Sequence, residues 1–153
     1  MTLRERFTDD IKTAMKAGDK PRISTLRLVQ AALKDKDIEA RGAGRGPISD
    51  EDILALLQRM MKQRQESIAI YDANNRPELA AGEREEVAII AEFLPQQLGE
   101  AETAAAIEDA VASTGAASVK DMGKVIAKLR ADHAGRMDFG RVSGLVKARL
   151  AGS

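Results

Sequence analysis

Two neighbouring glutamines beside a proline are the first residues whose types invite a chemical interpretation. They lie in the stretch AEFLPQQL, residues 91–98. Each glutamine carries an amide that both donates and accepts hydrogen bonds, which raises the question of an amide-handling site. Pro95 favours a second interpretation, because it lacks the amide hydrogen of a continuing helix and disfavours helical geometry at Leu94. We therefore expect a seam between two folding units, with Gln96 and Gln97 satisfying exposed helix-end groups.

Other reactive side chains are scarce. The chain has no cysteine and one histidine, so thiolate catalysis, disulfides and cysteine-ligated metals are excluded. His133 is the one orthodox base for a Ser or Thr nucleophile, but its context DHAGR is typical of a helix end, where histidine contacts free carbonyls. Asp132, His133 and Asp138 lack the spacing of a metal site. We expect no catalytic residue, no metal and no cofactor.

The elements that would position any site are helices. Apolar residues recur at helical spacing throughout, aromatics make up only 3% of the chain, and no alternating strand pattern appears. Helix boundaries are marked by Gly18, Asp19, Ser49, Ser118 and Asp138, which are typical capping residues. The sequence predicts an all-α protein.

The predicted helices fall into two groups. We expect an N-terminal four-helix domain over residues 1–94, a proline seam over 95–99, and a small three-helix C-terminal domain over 100–153. The apolar stripe of the first helix is predicted as Leu3, Phe7, Ile11 and Met15. That of the sixth is predicted as Val119, Met122, Ile126 and Leu129.

Charge is balanced over the whole chain but divided locally. The 24 basic and 24 acidic residues cancel, so no whole-protein field attracts polyanions. Residues 118–153, however, contain eight basic and three acidic residues, a local charge of +5, whereas residues 99–117 carry four acidic residues and no basic one. The neutral total therefore conceals a polarised C-terminal region.

Three lysines of this region share one helix face. Lys120, Lys124 and Lys128 recur at spacing four, roughly opposite Met122 and Ile126. Such a stripe is suited to nucleic-acid phosphates, and a solvated lysine face is the alternative. Phe139 is the one nearby aromatic residue and is predicted in the core, so base stacking is not expected.

Features of cellular location are few. The start, MTLRERFTDD, has no apolar segment of the secretory type, and no apolar run approaches the length of a membrane span. Together with the absence of cysteine, this favours a soluble cytoplasmic protein with no membrane partner.

Five stretches in the same order and spacing resemble the GatB/YqeY family over nearly the whole chain, most closely its stand-alone YqeY-like members. The stretches are AMKAGDKPRISTLRLVQAALKD, DEDILALLQRMMKQRQESIAIY, NNRPELAAGEREEVAIIAEFLPQQL, SVKDMGKVIAKL and GRVSGLVKARL. The resemblance implies an all-helical N-terminal domain followed by a small three-helix domain.

The resemblance also implies a function. A similar module forms the C-terminal tail of the B subunit of the glutamine-dependent aspartyl/glutamyl-tRNA amidotransferase, where it engages the tRNA elbow. The family label, carbon–nitrogen ligase activity with glutamine as amido-N-donor, finds no supporting residues in this chain. The implied partner is tRNA, with tRNA-charging or amidotransferase proteins as further candidates.

Carried onto this chain, the tail motif covers residues 120–125. We expect tRNA contacts from Lys120, Gly123, Lys124 and Lys128, with Arg136 and Arg141 assisting. The chain departs from the family pattern at two places: Ile126 and Ala127 replace a Met-Gly pair, and GRMDFG replaces a GRADG-like turn.

A second hypothesis assigns the chain no nucleic-acid role. In that case it is a helical protein–protein adaptor that uses Met60 and Met61 of the long third helix as a partner groove.

Overall fold

The computed structural model describes residues 1–152, so Ser153, the last residue of the expected C-terminal domain, lies outside them. Within the described residues the chain forms seven α-helices and no strand, which confirms the all-α prediction. The helices are α1 (Leu3–Ala17), α2 (Lys20–Gly42), α3 (Asp50–Ala73), α4 (Pro77–Ala91), α5 (Glu100–Thr114), α6 (Met122–His133) and α7 (Phe139–Ala151). A 3-10 turn, Val119–Asp121, precedes α6. Over residues 1–152, no helix has both the length and the apolar character needed to cross a membrane.

The chain packs into two compact units, Met1–Leu94 and the residues from Pro95 onward. In the first unit, the helix starts follow the capping residues seen in the sequence. Asp19 accepts a hydrogen bond from the Arg22 amide, and the Ser49 hydroxyl accepts one from the Asp52 amide. Gly18 ends α1 in the left-handed conformation, with φ 68°, which a residue without Cβ adopts at low cost.

The core of the first unit joins α1, α2, α3 and α4. Its buried members are Leu3, Phe7, Leu26, Val29, Leu33, Ile53, Leu56, Leu57, Met60, Ile89, Ile90 and Phe93. Phe7 and Phe93 meet edge to face, with ring centroids 4.9 Å apart. Met60 is buried and Met61 packs against the same cluster. The proposed methionine groove is therefore wrong, because both side chains belong to the core.

The first helix presents its stripe with one difference from the prediction. Leu3 and Phe7 are buried, but Met15 is 55% exposed and Ala14 is buried instead. A strict spacing of four residues rotates by about 40° per repeat relative to the 3.6-residue helix, so the fourth member has left the core.

In the second unit, α5 and α7 each pack against α6. The buried residues are Ala106, Ile107, Ala110, Val111, Val125, Leu129, Met137, Val142, Val146 and Leu150. The predicted inward face of α6 is wrong at its start, because Val119 is 39% exposed whereas Val125 is fully buried. Met122 and Ile126 are half-buried against the same core.

Within the second unit, residues 97–98 form hydrogen bonds with the turn that follows α6. The Gln97 side-chain amide donates to the Gly135 carbonyl at 2.6 Å, and the Leu98 amide donates to the Arg136 carbonyl at 3.0 Å. Gly135 has φ 74°, so this tight turn requires a glycine. The Gln97 amide also donates to the Pro95 carbonyl at 3.0 Å. Both acceptors lie beyond helix ends, those of α4 and α6, and the bond to Gly135 connects residues 38 positions apart.

Candidate nucleic-acid interface

The exposed side of α6 brings together the lysines singled out by the sequence. Lys124 and Lys128 are exposed on α6, and the residues that follow them, Val125 and Leu129, are buried. Lys120 is exposed on the 3-10 turn that leads into the helix. Gly123 is also exposed, and apart from its two chain neighbours and the helix's own backbone, no atom of the described residues lies within 4 Å of the position that a Cβ would occupy. A phosphate backbone can therefore approach the helix closely at this point.

Asp121 holds the turn that carries Lys120. Its carboxylate accepts hydrogen bonds from the amides of Ala117, at 2.9 Å, and Ser118, at 3.3 Å. These backbone amides, with a smaller contribution from Lys124, lower the pKa of Asp121 below its usual value. The carboxylate is therefore ionised at neutral pH and caps the 3-10 turn that leads into α6, beginning at Ser118, one of the capping residues named from the sequence.

Two of the three lysines have carboxylate neighbours. Lys124 lies 3.5 Å from Asp121, and Lys128 lies 2.9 Å from Asp132. Among the described residues Lys120 forms no ion pair. Ion pairs between exposed side chains contribute about 0–1 kcal/mol, so these lysines can exchange their carboxylates for phosphates at little cost.

The two arginines expected to assist are engaged away from this helix. The Arg136 Nε donates to the Gln96 carbonyl at 2.9 Å, and Arg141 pairs with Glu100 of α5 at 3.2 Å. A third pair joins Arg149 of α7 to Glu108 of α5 at 2.6 Å. The acidic α5 is thus partly neutralised by the basic α7. Sequence analysis missed this pairing, which leaves Lys120, Lys124 and Lys128 beside α6 and Lys147 on α7 as exposed lysines of the unit.

The single histidine lies at the end of α6. His133 ends α6, and its carbonyl accepts a hydrogen bond from the Arg136 amide. Its Nδ1 is buried and forms no hydrogen bond, so the expected contact of the side chain with free carbonyls is not made through this atom. Over residues 1–152, no group of three or more acidic or histidine side chains is arranged to hold a metal ion.

Comparison with known proteins places the chain in a family. The family model described as "Yqey-like protein" matches residues 4–150, nearly the whole chain. The chain belongs to the Yqey-like protein family. The five stretches that resembled this family therefore identified it correctly.

Curated relatives of this Yqey-like chain come from yeasts. "Altered inheritance of mitochondria protein 41, mitochondrial" is 34% identical over 87 residues in Lachancea thermotolerans, covering 57% of this chain and 45% of the relative. The protein of the same name from Vanderwaltozyma polyspora is 31% identical over 85 residues, covering 56% and 44%. The Saccharomyces cerevisiae protein is 32% identical over 87 residues, covering 57% and 45%. Each match thus spans less than half of the relative's length.

The expectation of a cytoplasmic location is contradicted by these relatives, whose names describe mitochondrial proteins. The expectation was wrong because its grounds do not separate compartments. A lack of cysteine fits any compartment in which thiols stay reduced, and a lack of a secretory-type segment excludes only one route.

Proposed function

We propose that this Yqey-like protein is a non-catalytic, tRNA-associated module that contacts RNA phosphates through Lys120, Gly123, Lys124 and Lys128. The observation that supports this is the row of exposed lysines at the start and along α6, together with exposed Gly123, whose Cβ position is open. Lysines supply charge and the missing side chain permits close approach, which together suit a phosphate backbone rather than base edges.

The family resemblance supplies the partner in this proposal. The family resemblance implies that the similar tail of the amidotransferase B subunit engages the tRNA elbow. We therefore propose tRNA as the partner of the corresponding surface in this chain. Arg136 and Arg141 stay in the proposal as assisting residues, and each would first exchange its exposed contact, with the Gln96 carbonyl or with Glu100, for a phosphate. The names of the yeast relatives mention mitochondrial inheritance and no RNA.

We also propose that the two compact units are separate domains, the first with four helices and the second with three. The second domain would then present the α6 surface, and the first would act as its scaffold. Protein partners, including tRNA-charging or amidotransferase proteins, belong to this proposal as candidates that would bring charged tRNA to the module.

The proposal predicts a specific salt dependence of tRNA binding. Each phosphate contact contributes a slope of about 0.7 to 0.9 to the plot of log affinity against log salt, so three lysines should give a slope of about −2 to −3. Replacing Lys120, Lys124 and Lys128 together by glutamate should abolish retention of unfractionated tRNA at low salt. Replacing one of them by alanine should lower the slope by about one.

The chain offers a matched control for this experiment. Lys12, Lys16 and Lys20 are also exposed and also recur at spacing four, but they lie in the first unit. Their replacement by glutamate changes the net charge equally and should leave most tRNA binding intact. Equal losses from both triple variants would show that the α6 surface is not the site. Glutamine-dependent amide transfer to mischarged tRNA by the purified protein with ATP would overturn the non-catalytic assignment.

A further inference from the structure

A cleft of about 620 Å³ lies between α5 and α7 in the second unit. Both helices pack against α6, and none of the α6 residues, all of which the structure describes, lines the cleft. The apolar residues that line it are exposed Ala104 and Leu145 and half-buried Leu98, with the buried core residues Ile107, Met137 and Val142 beneath them. Leu145 is 42% exposed there. Concave apolar surfaces of this size are typical of binding sites.

The two sides of the cleft carry opposite charges at matching heights. Glu100 and Glu108 lie on the α5 side, and Arg141 and Arg149 lie on the α7 side. Arg141 contacts Glu100 at 3.2 Å, and Arg149 contacts Glu108 at 2.6 Å. On each helix, the residues of the two ion pairs are eight positions apart, which corresponds to about 12 Å at 1.5 Å per residue. The cleft therefore has an acidic rim, a basic rim and a length of about two helical turns.

We propose that this cleft binds an amphipathic α-helix of a partner protein, which becomes the fourth helix around the core of the second unit. The partner helix presents apolar residues at i, i+4 and i+7, a span of about 10 Å, to the apolar floor. Its basic flank faces Glu100 and Glu108, and its acidic flank faces Arg141 and Arg149. Both existing ion pairs involve exposed side chains, so they can be exchanged for pairs with the partner at little cost.

The charges on the rims favour this occupant over others. A polyanion would meet Glu100 and Glu108 along one whole side of the cleft, and a small anion would pair with one arginine and leave the apolar floor uncovered. An amphipathic helix with one basic and one acidic flank can pair with both rims while its apolar face covers the floor of the cleft. The inference extends beyond the proposed RNA contacts, because it uses none of Lys120, Gly123, Lys124 and Lys128.

The test uses the full chain and a fluorescein-labelled synthetic helical peptide of about 15 residues, with leucines at i, i+4 and i+7. One flank of the peptide carries lysines and the other carries glutamates. We expect saturable binding by fluorescence anisotropy. Two further peptides keep the leucines but have both flanks acidic or both flanks basic. These should bind about tenfold more weakly, because one flank then faces a rim of like charge whichever way the helix lies.

Matched variants of the protein locate the site. Leu145→Asp and Ala104→Glu, both at exposed positions lining the cleft, should each weaken binding of the mixed-flank peptide more than about tenfold. Their controls are Leu79→Asp in α4, where the leucine is 39% exposed, and Ala105→Glu, at the exposed neighbour that does not line the cleft. Both controls should bind normally.

Three results would overturn the proposal: no saturable binding of the mixed-flank peptide, equal binding of all three peptides, or equal losses in the cleft variants and their controls. Analytical ultracentrifugation of the unliganded chain tests a different occupant. A self-associated species that Leu145→Asp dissociates would make the occupant a second copy of this chain, and the partner-protein assignment would be wrong. Retention of tRNA by Leu145→Asp, measured in parallel, separates this test from that of the α6 surface.

Discussion

Replacing Asp37 by asparagine should destabilise the first unit in a manner that depends on pH. The Asp37 carboxylate accepts hydrogen bonds from both terminal nitrogens of Arg4, each at 2.8 Å, and from the Ile48 amide at 3.0 Å. Arg4 also donates to the Ile48 carbonyl at 3.0 Å. One carboxylate thus connects α1 and α2 to the chain just before α3. Its loss should therefore lower the free energy of unfolding of the whole unit.

The magnitude follows from the pKa of Asp37, which falls from 3.8 to about 2, first because of the Arg4 hydrogen bonds and then because of the Ile48 amide. A shift of this size corresponds to about 2.4 kcal/mol at 1.36 kcal/mol per pKa unit. The Asp37 side chain is 23% exposed and that of Arg4 is 36% exposed, so solvent screens part of this energy. We expect Asp37→Asn to lower the free energy of unfolding by about 1–2 kcal/mol at pH 7.

The sign of the pH effect is fixed by the direction of the shift. Because the pKa of Asp37 is lower in the folded state, its stabilisation is fully present above the ordinary pKa of 3.8 and is lost as the pH falls through about 2. The difference between the natural protein and Asp37→Asn should therefore be largest near neutral pH and shrink steadily between about pH 4 and pH 2.

Urea titration followed by the fluorescence of Tyr71 measures this difference. Tyr71 is the one tyrosine of the chain and lies in the first unit, so its signal reports on that unit. The midpoint should fall by about 1 M urea. Asp35→Asn, at an exposed position two residues earlier in α2, is the control and should change the midpoint little. A difference that stays constant from pH 5 to pH 2, or an equal effect of the control, would refute the ion-pair explanation.

Three further substitutions test the second unit, and each is read by hydrogen exchange of the α5–α7 amides together with urea unfolding followed by circular dichroism. Gln97→Ala should cost about 1 kcal/mol by removing the bond to Gly135, whereas Gln96→Ala, which keeps the carbonyl bonded to Arg136, should cost almost nothing. Gly123→Ala should stabilise the unit by about 0.5–1 kcal/mol, because this glycine is helical and has free space for a Cβ. Leu129→Ala should cost about 2–5 kcal/mol, against less than about 1 kcal/mol for Val119→Ala, because Leu129 is buried and Val119 is not. Equal costs at these last two positions would contradict the assigned face of α6.

The sequence predicted those parts of the fold that depend on neighbouring residues. Asp19, Ser49 and Asp138 cap helices in the structure because an N-cap needs only a side-chain oxygen and an amide two or three residues later. The fourth helix likewise stops near its proline, with α4 ending at Ala91, four residues before Pro95. The number and order of helices follow from such local signals, which require no knowledge of the partners each helix packs against.

Helix faces were predicted less well, because periodicity defines a face only within about one residue. Around α6, both Val119–Met122–Ile126–Leu129 and Met122–Val125–Ile126–Leu129 satisfy the helical pattern. The 3-10 turn at Val119–Asp121 changes the number of residues per turn, so Val119 falls out of phase with α6 and Val125 takes the core position. Only the packing of α6 against α5 and α7 distinguishes the two arrangements.

Contacts between distant residues were not predicted. Gln97 with Gly135 and Arg149 with Glu108 are separated by 38 and 41 residues, and nothing in either segment alone indicates the other. The charge division between residues 99–117 and 118–153 did contain a signal for the second contact. Segments of opposite charge in one small unit are suited to pair with each other as well as with an external polyanion, and pairing within the unit was not considered.

This pairing changes what the basic character of the second unit means. Arg141 and Arg149 pair with Glu100 and Glu108, so the surface over α5 and α7 carries both signs of charge, whereas Lys120, Lys124 and Lys128 form an exposed row beside α6. We therefore expect a polyanion to be attracted more strongly to α6 than to the α5–α7 cleft, whose rim includes Glu100 and Glu108. Since no α6 residue lines the cleft, the two surfaces can be occupied at once. The double variant Lys124→Glu, Leu145→Asp tests this independence. It should retain tRNA as weakly as Lys124→Glu alone, and it should bind the peptide as weakly as Leu145→Asp alone.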